Sequence, residues 1–337
     1  MDLLTIKNLK IHYQLKNGVF KAVDGVDLEV KKGQTIGLVG ESGCGKSTLV
    51  KGIMQVMSKN AFFADGDIEY NGESMLAMSE SKRRGILWKE ISMIPQASMD
   101  SMNPVYPVVD AFVEIMTLKG GKSKKEAILR AEELFELVGI DKSRIKDYPH
   151  QFSGGMKQRV AIALALCLDP KIIIADEPVT ALDVIVQHQV LTMLNRLKNE
   201  LDLTIILITH DISVVAQTCD DLAVMYAGKI AEKGSVLEVL RDPKHPYSMG
   251  LSNAFPDLLK NEKLISIEGS VPDLAHNIEG CRFVSRCPFA IDQCHTLEPV
   301  VTEYENNRSA ACHRAPEYRD LQQLAEEASV WNKVTTT

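Results

Sequence analysis

Apolar and polar residues recur along this chain with different periods, and each period predicts a different element. Near the N-terminus, "LLTIKNLKIHYQL" and "VFKAVDGVDLEV" alternate as half-buried strands do. Between them stands Asn17-Gly18, a pair that tolerates the positive φ of a hairpin turn. Residues 2–30 therefore read as antiparallel strands. Three unbroken apolar runs lie further along: "QTIGLVG" (34–40), "KIIIA" (171–175) and "LTIILI" (203–208). Short runs without alternation predict strands covered on both faces, and polar residues follow each one. Parallel strands with chemistry at their C-terminal ends are the expected arrangement.

Helical spacing fills the gaps. "KSTLVKGIMQVM" predicts a helix directly after the first run. In "KKEAILRAEELFELVGI", Ala127, Ala131, Leu134 and Val138 recur at helical intervals, and Gly139 is a stop signal. The stretch 110–168 is expected to be rich in helix. "DLAVMYAGKIAEKG" (221–234) predicts a hairpin turning near Gly228. The linker "RDPKHPYSMG", rich in proline and polar residues, opens a region where both signals weaken, and the final "VWNKVTTT" is expected to fray.

The 337 residues are 45% hydrophobic and 25% charged, enough for a sizeable core and two domains. A net charge of −7 argues against a nucleic-acid-binding surface, which needs clustered Lys and Arg. The basic stretch "KGGKSKK" (119–125) is followed at once by acids and reads as a solvated loop and helix start. No secretory h-region and no bilayer-length apolar run is visible, so a soluble or peripheral cytoplasmic protein is expected. A reducing compartment disfavours disulfides. Of seven cysteines, Cys44, Cys167 and Cys219 are scattered, while Cys281, Cys287, Cys294 and Cys312 cluster.

"GESGCGKST" spans Gly40–Thr48 between a predicted strand and a predicted helix, the context a phosphate loop requires. Gly40, Gly43 and Gly45 permit a tight turn that aims backbone N–H groups, with those of Ser42, Cys44 and Thr48, at a phosphate. Lys46 is suited to the β- and γ-phosphates, and the Ser47 hydroxyl to Mg²⁺. Cys44 admits two readings: a thiolate favoured by Lys46 and the helix N-terminus, or an inert small residue. The run ending in "ADEP" delivers Asp176, suited to Mg²⁺, and Glu177, suited to polarise a water. Taken alone, such an acidic pair is only a solvated strand end. "QFSGGMKQR" (151–159) could bind phosphate through its Ser-Gly-Gly backbone or simply cap a helix.

The order is more specific than any part: P-loop, Gln96 in "IPQ", "FSGGM", "ADEP", "TALD" (180–183), "ITHD" (208–211). In this order the chain resembles the nucleotide-binding subunits of ATP-binding-cassette (ABC) transporters over about residues 1–235. The resemblance implies a P-loop α/β core with an N-terminal antiparallel sheet and a helical subdomain (about 97–168). It implies Tyr13 stacking on adenine and Gln96 sensing Mg²⁺ and the membrane partner. Ser153, Gly154 and Gly155 become the signature that reaches the γ-phosphate across a dimer interface. Glu177 becomes the base, Asp183 the D-loop residue, and His210 the switch on the γ-phosphate. Met156 departs from the glutamine of many members, and the backbone contact of Ser-Gly-Gly should survive that. Mg²⁺ is then held through Ser47, Gln96 and Asp176.

"HPYSMGL" (245–251), "ASMDSMNPVYPV" and the cysteine-bearing tail are similar to the ATPase subunits of dipeptide and oligopeptide importers. That resemblance implies a small accessory domain over 236–337. It also implies a second, homologous ATPase chain, two integral membrane permease subunits, an extracytoplasmic peptide-binding protein, and a place on the cytoplasmic face of the membrane. Nucleic-acid or ribosome-acting ABC ATPases, and importers of nickel or another small solute, are the alternatives. The spacing C-x5-C-x6-C-x17-C is wider than the C-x2-C pairs of structural zinc and suits a [4Fe–4S] cluster on four thiolates. His295 and His313 keep zinc open, and four buried free thiols are the remaining reading. The resemblance favours the cluster, as a staple for a poorly cored tail.

Overall fold

The computed structural model describes residues 2–96, 102–253, 267–276 and 278–331. Its contacts fall into two units. One holds Lys31–Thr35 and Met75–Ile208. The other holds Asp2–Val30, Ile36–Ser74 and the described residues from Thr209 onward.

The chain opens with β1 (Asp2–Leu15), β2 (Gly18–Lys31), β3 (Thr35–Val39), α1 (Lys46–Ile53), β4 (Ala61–Tyr70) and β5 (Glu73–Ser74). Then come α2 (Glu80–Ile86), β6 (Ile91–Ile94), α3 (Val108–Leu118), α4 (Lys124–Leu137) and α5 (Gly154–Ala165). β7 (Ile172–Asp176), α6 (Val184–Leu201), β8 (Thr204–Thr209), α7 (Ile212–Thr218), β9 (Asp221–Tyr226) and β10 (Lys229–Ser235) follow. The last third holds α8 (Val236–Arg241), α9 (Pro246–Asn253), α10 (Asp292–Thr296), β11 (Thr302–Tyr304), β12 (Arg308–Ala310), α11 (Tyr318–Ala325) and α12 (Ala328–Trp331).

In the first unit, the parallel strands lie in the order β8-β7-β6, with Ile172 opposite both Thr204 and Ile91. These strands are almost wholly buried, as unbroken apolar runs require. The helical part is joined by edge-to-face rings: Phe112 on Phe135, and Phe135 on Phe152. The basic stretch at 119–125 does lead into a helix start. Ser123 and Glu126 form a reciprocal capping box at the head of α4, and Gly139, at φ +73°, follows its end. Residues 97–101, the beginning of the expected helical subdomain and of the "ASMDSMNPVYPV" segment, lie outside the described residues.

In the second unit, an antiparallel sheet runs β2-β1-β4-β5. The β1–β2 turn is Lys16-Asn17, one residue earlier than expected, and Gly18 at φ +146° begins β2. β3 pairs with β9 in parallel, and β10, β12 and β11 continue outward from β9 antiparallel. The β9–β10 hairpin turns on Ala227 and Gly228, both at positive φ, where the sequence places it.

The tail differs from the expectation. Tyr247, Phe283, Phe289, Leu321 and Trp331 are buried in one core with Val39, Val224 and Tyr226. The described part of 236–337 is therefore not poorly cored, and shares its core with β3 and β9. Phe283 and Phe289 stand in turns, while Tyr247, Leu321 and Trp331 come from helices of eight residues or fewer, too short for a period to announce them. Trp331 is 1% exposed and its indole N–H donates to the Ala325 carbonyl, so fraying has not begun there. Residues 332–337 lie outside the described residues.

Candidate active site

The phosphate loop leaves β3 through Gly40, at φ +155°, and reaches α1 through Gly45, at φ +107°. A Cβ at Gly40 would stand 2.1 Å from the Met225 carbonyl oxygen, and one at Gly45 2.2 Å from that of Ala22. Only glycine fits at either place. Gly43, at φ +82°, faces open space. No side chain caps α1, so its first N–H groups are available to an anion. Lys46 is buried, and its Nζ donates to the carbonyls of Gly40 (2.6 Å) and Glu41 (2.9 Å). Ser42 and Ser47 are exposed, and Thr48 lies 3.1 Å from the Tyr13 hydroxyl. Tyr13 is thereby tied to the start of α1, with its ring edge-on to Phe20.

Cys44 is fully buried, 3.5 Å from the Lys46 ammonium. Burial pushes its thiol up despite that cation. Burial thus favours the reading of Cys44 as a small inert residue. His210 follows β8 directly and is exposed, while its neighbour Asp211 caps α7 through the Ser213 N–H.

The other unit carries the acids. Asp176 is the last residue of β7 and is buried. Glu177 turns the chain at φ +46°, unusual for a residue with a Cβ, and its N–H is held by the Ile208 carbonyl at 2.8 Å. One carboxylate oxygen of Glu177 accepts from the Gln96 amide (3.0 Å) and the Thr180 hydroxyl (2.9 Å). Gln96 and Glu177 are therefore together. Thr180 was not singled out by sequence reasoning, although it opens the "TALD" motif.

Ser153 is the N-cap residue of α5, exposed, with no side-chain cap bond, so its hydroxyl is not spent on its own helix. Gly154 and Gly155 form the first turn. A Cβ on Gly155 would lie 2.4 Å from a Val186 methyl, so this glycine lets α5 and α6 approach. Met156 accepts from Arg144 through its sulfur at 3.4 Å. Asp183 caps α6, accepting from the N–H groups of Ile185 and Val186.

Two families match the chain: residues 23–180 match "ABC transporter" and residues 231–294 match "Oligopeptide/dipeptide transporter, C-terminal region". The oligopeptide transport ATP-binding protein AppD of Bacillus subtilis is 41% identical over 314 residues, covering 92% of this chain and 96% of that protein. The oligopeptide transport ATP-binding protein OppD of Escherichia coli is 41% identical over 318 residues, 94% of each. The chain belongs to the ABC transporter ATP-binding proteins. Among solved structures, a dimeric ATP-binding cassette in a post-hydrolysis state with ADP and Pi is 26% identical, with a TM-score of 0.61, covering 69% of this chain and 98% of that one. The cassette is an ATPase by family. No helix among its described residues is long and apolar enough to cross a membrane.

Beyond the cassette motifs lie the four clustered cysteines. Among the described residues, no three His, Cys, Asp or Glu side chains are gathered to hold a metal ion. The single-ion shell that zinc requires is therefore not formed, and His295 is exposed. Cys281, Cys287, Cys294 and Cys312 nevertheless line one small cavity, with Phe283, Phe289 and His313. Burial pushes the Cys281 thiol up to about 11 and that of Cys312 up to about 12.

Proposed function

We propose that this chain is the ATP-hydrolysing subunit of an ABC importer of dipeptides or oligopeptides. The observation that carries the reading is likeness over nearly the whole chain, tail included, to peptide-transport ATP-binding proteins. These relatives favour peptide import over a nucleic-acid-acting cassette or an importer of another small solute. The partners would be a second, homologous ATPase chain, two membrane permease subunits and, through them, an extracytoplasmic peptide-binding protein. The chain would sit at the cytoplasmic face of the membrane.

The chemistry is in-line transfer of the γ-phosphoryl group to water. Gly40–Thr48 holds the phosphates, Lys46 balances the charge on the β- and γ-groups, and Tyr13 stacks on adenine. Glu177 orients the attacking water, and His210 stabilises charge on the γ-phosphate. Ser153, Gly154 and Gly155 complete the partner chain's nucleotide site, with Asp183 at the same interface. The hydroxyl of Ser47, the amide oxygen of Gln96 and the carboxylate of Asp176 are hard oxygen donors that fit Mg²⁺. That ion would neutralise phosphate charge. The test is uptake of a labelled oligopeptide into vesicles carrying the assembled transporter. Uptake should need ATP and cease with Lys46→Ala, and ATP-independent uptake, or none of any peptide, would overturn the reading.

We further propose that Cys281, Cys287, Cys294 and Cys312 hold one [4Fe–4S] cluster. Four thiols around a common cavity are the donor set for such a group, which would cross-link the turns of the tail. Anaerobically purified protein should be brown, with about four irons and four sulfides per chain. Zinc without acid-labile sulfide, or neither metal, would contradict this.

A further inference from the structure

The turn between Cys281 and Cys287 carries an arginine whose side chain bridges the tail's own backbone and a residue 245 positions earlier in the chain. Arg286 is 4% exposed, and each of its five N–H donors has a partner. Nη1 donates to Glu41 Oε2 at 2.8 Å and to the Tyr226 hydroxyl at 3.3 Å. Nη2 donates to Glu41 Oε1 at 3.0 Å and to the Ile267 carbonyl at 3.0 Å. Nε donates to the Glu268 carbonyl at 2.9 Å. Glu41 is the second residue of the phosphate loop, so the tail grips that loop by a forked, two-bond ion pair.

A second tail residue holds the same position. Tyr247, fully buried between Tyr226 and Phe283, accepts the backbone N–H of Glu41 on its hydroxyl at 3.0 Å. Burial pushes this phenol up, so it stays protonated and neutral. The carbonyl of Glu41 is in turn one of the two that hold the Lys46 ammonium, and it also accepts the Cys44 N–H at 3.3 Å. All three polar parts of Glu41 are therefore committed: carboxylate to Arg286, N–H to Tyr247, carbonyl to Lys46 and the loop.

We propose that Arg286 is a positioning residue for the nucleotide site, acting through Glu41 to hold the phosphate loop and Lys46 in their binding geometry. The tail thereby completes the cassette's phosphate cradle. A guanidinium fork sets direction as well as distance, which a lysine ammonium cannot reproduce. The cradle serves bound ATP and the transition state alike, so loosening it should raise KM more than it lowers kcat. The inference rests on reading Gly40–Thr48 as the ATP phosphate site.

The test compares Glu41→Gln, Arg286→Gln, Arg286→Lys and the Glu41→Gln/Arg286→Gln double variant, in the full-length chain and the assembled transporter. Equilibrium ATP binding, KM and kcat for hydrolysis, and thermal unfolding are measured for each. Glu41→Gln and Arg286→Gln should each weaken ATP binding and raise KM about tenfold, with the double variant no worse than either, as coupled neighbours require. Arg286→Lys should fall between wild type and Arg286→Gln. If Arg286→Gln fails to fold, Glu41→Gln decides alone, because Gln keeps an acceptor for the Arg286 guanidinium and its unfolding midpoint reports directly whether the fold is kept. ATP affinity within twofold of wild type in Glu41→Gln, or additive losses in the double variant, would overturn the proposal. Lys46→Ala separates the two readings: if it leaves ATP binding intact, the cradle itself is misassigned.

Discussion

Cys44 has a cation two residues away and a helix N-terminus beside it, and either alone would favour a thiolate. Full burial outweighs both, since the charged form would lose its water. Cys44 should therefore resist a maleimide in the native protein and react only on unfolding, as read by mass spectrometry of the labelled peptides. Rapid native labelling of Cys44, blocked by MgATP, would contradict this. Burial of a single residue is hard to read from sequence, because the motif fixes residue types and not depth. The same holds for Glu41 and Arg286, which are 245 positions apart and meet in a bidentate pair. No local pattern announces that contact. By contrast, Gln96 and Glu177 were named from ordered motifs, and they share a hydrogen bond.

The elements that were legible are those in which one period dominates. The buried strands β3, β7 and β8, the hairpin at Gly228 and the end of α4 near Gly139 fall within a residue or two of expectation. β4 was missed because Asp65, Gly66 and Asp67 interrupt its apolar pattern at a bulged pairing with β1. β6 was missed because it is only four residues long. α6 does carry a readable stripe, in Val190, Leu194 and Leu197, after its N-cap residue Asp183. Contact between α5 and α6 depends on Gly155. Gly155→Ala should force Val186 aside and cost ~1–3 kcal/mol of stability, the usual range for overpacking. Val186→Ala should recover part of the loss in thermal unfolding. An unchanged midpoint for Gly155→Ala would show that the helices have room to part.

Across the whole molecule, the tail's apolar residues join the strand that leads into the phosphate loop, rather than forming a core of their own. Trp331, more than eighty residues beyond Tyr247, closes this core. Trp331→Ala should destabilise the protein by ~3–5 kcal/mol, as large-to-small changes at buried aromatics do. A loss below about 1 kcal/mol would fit a loosely attached end instead. The motifs themselves are spread over both units, and the chain's work is to hydrolyse ATP within a transporter. Single-turnover hydrolysis by the assembled transporter, with the partner ATPase's own site disabled, tests that role. Glu177→Gln keeps the size and a hydrogen-bonding oxygen but removes the charge proposed to orient water. ATP should still bind and remain trapped, while hydrolysis falls by ~10²–10⁴-fold, the range for loss of a general base. Hydrolysis by Glu177→Gln at close to the wild-type rate would contradict the assignment.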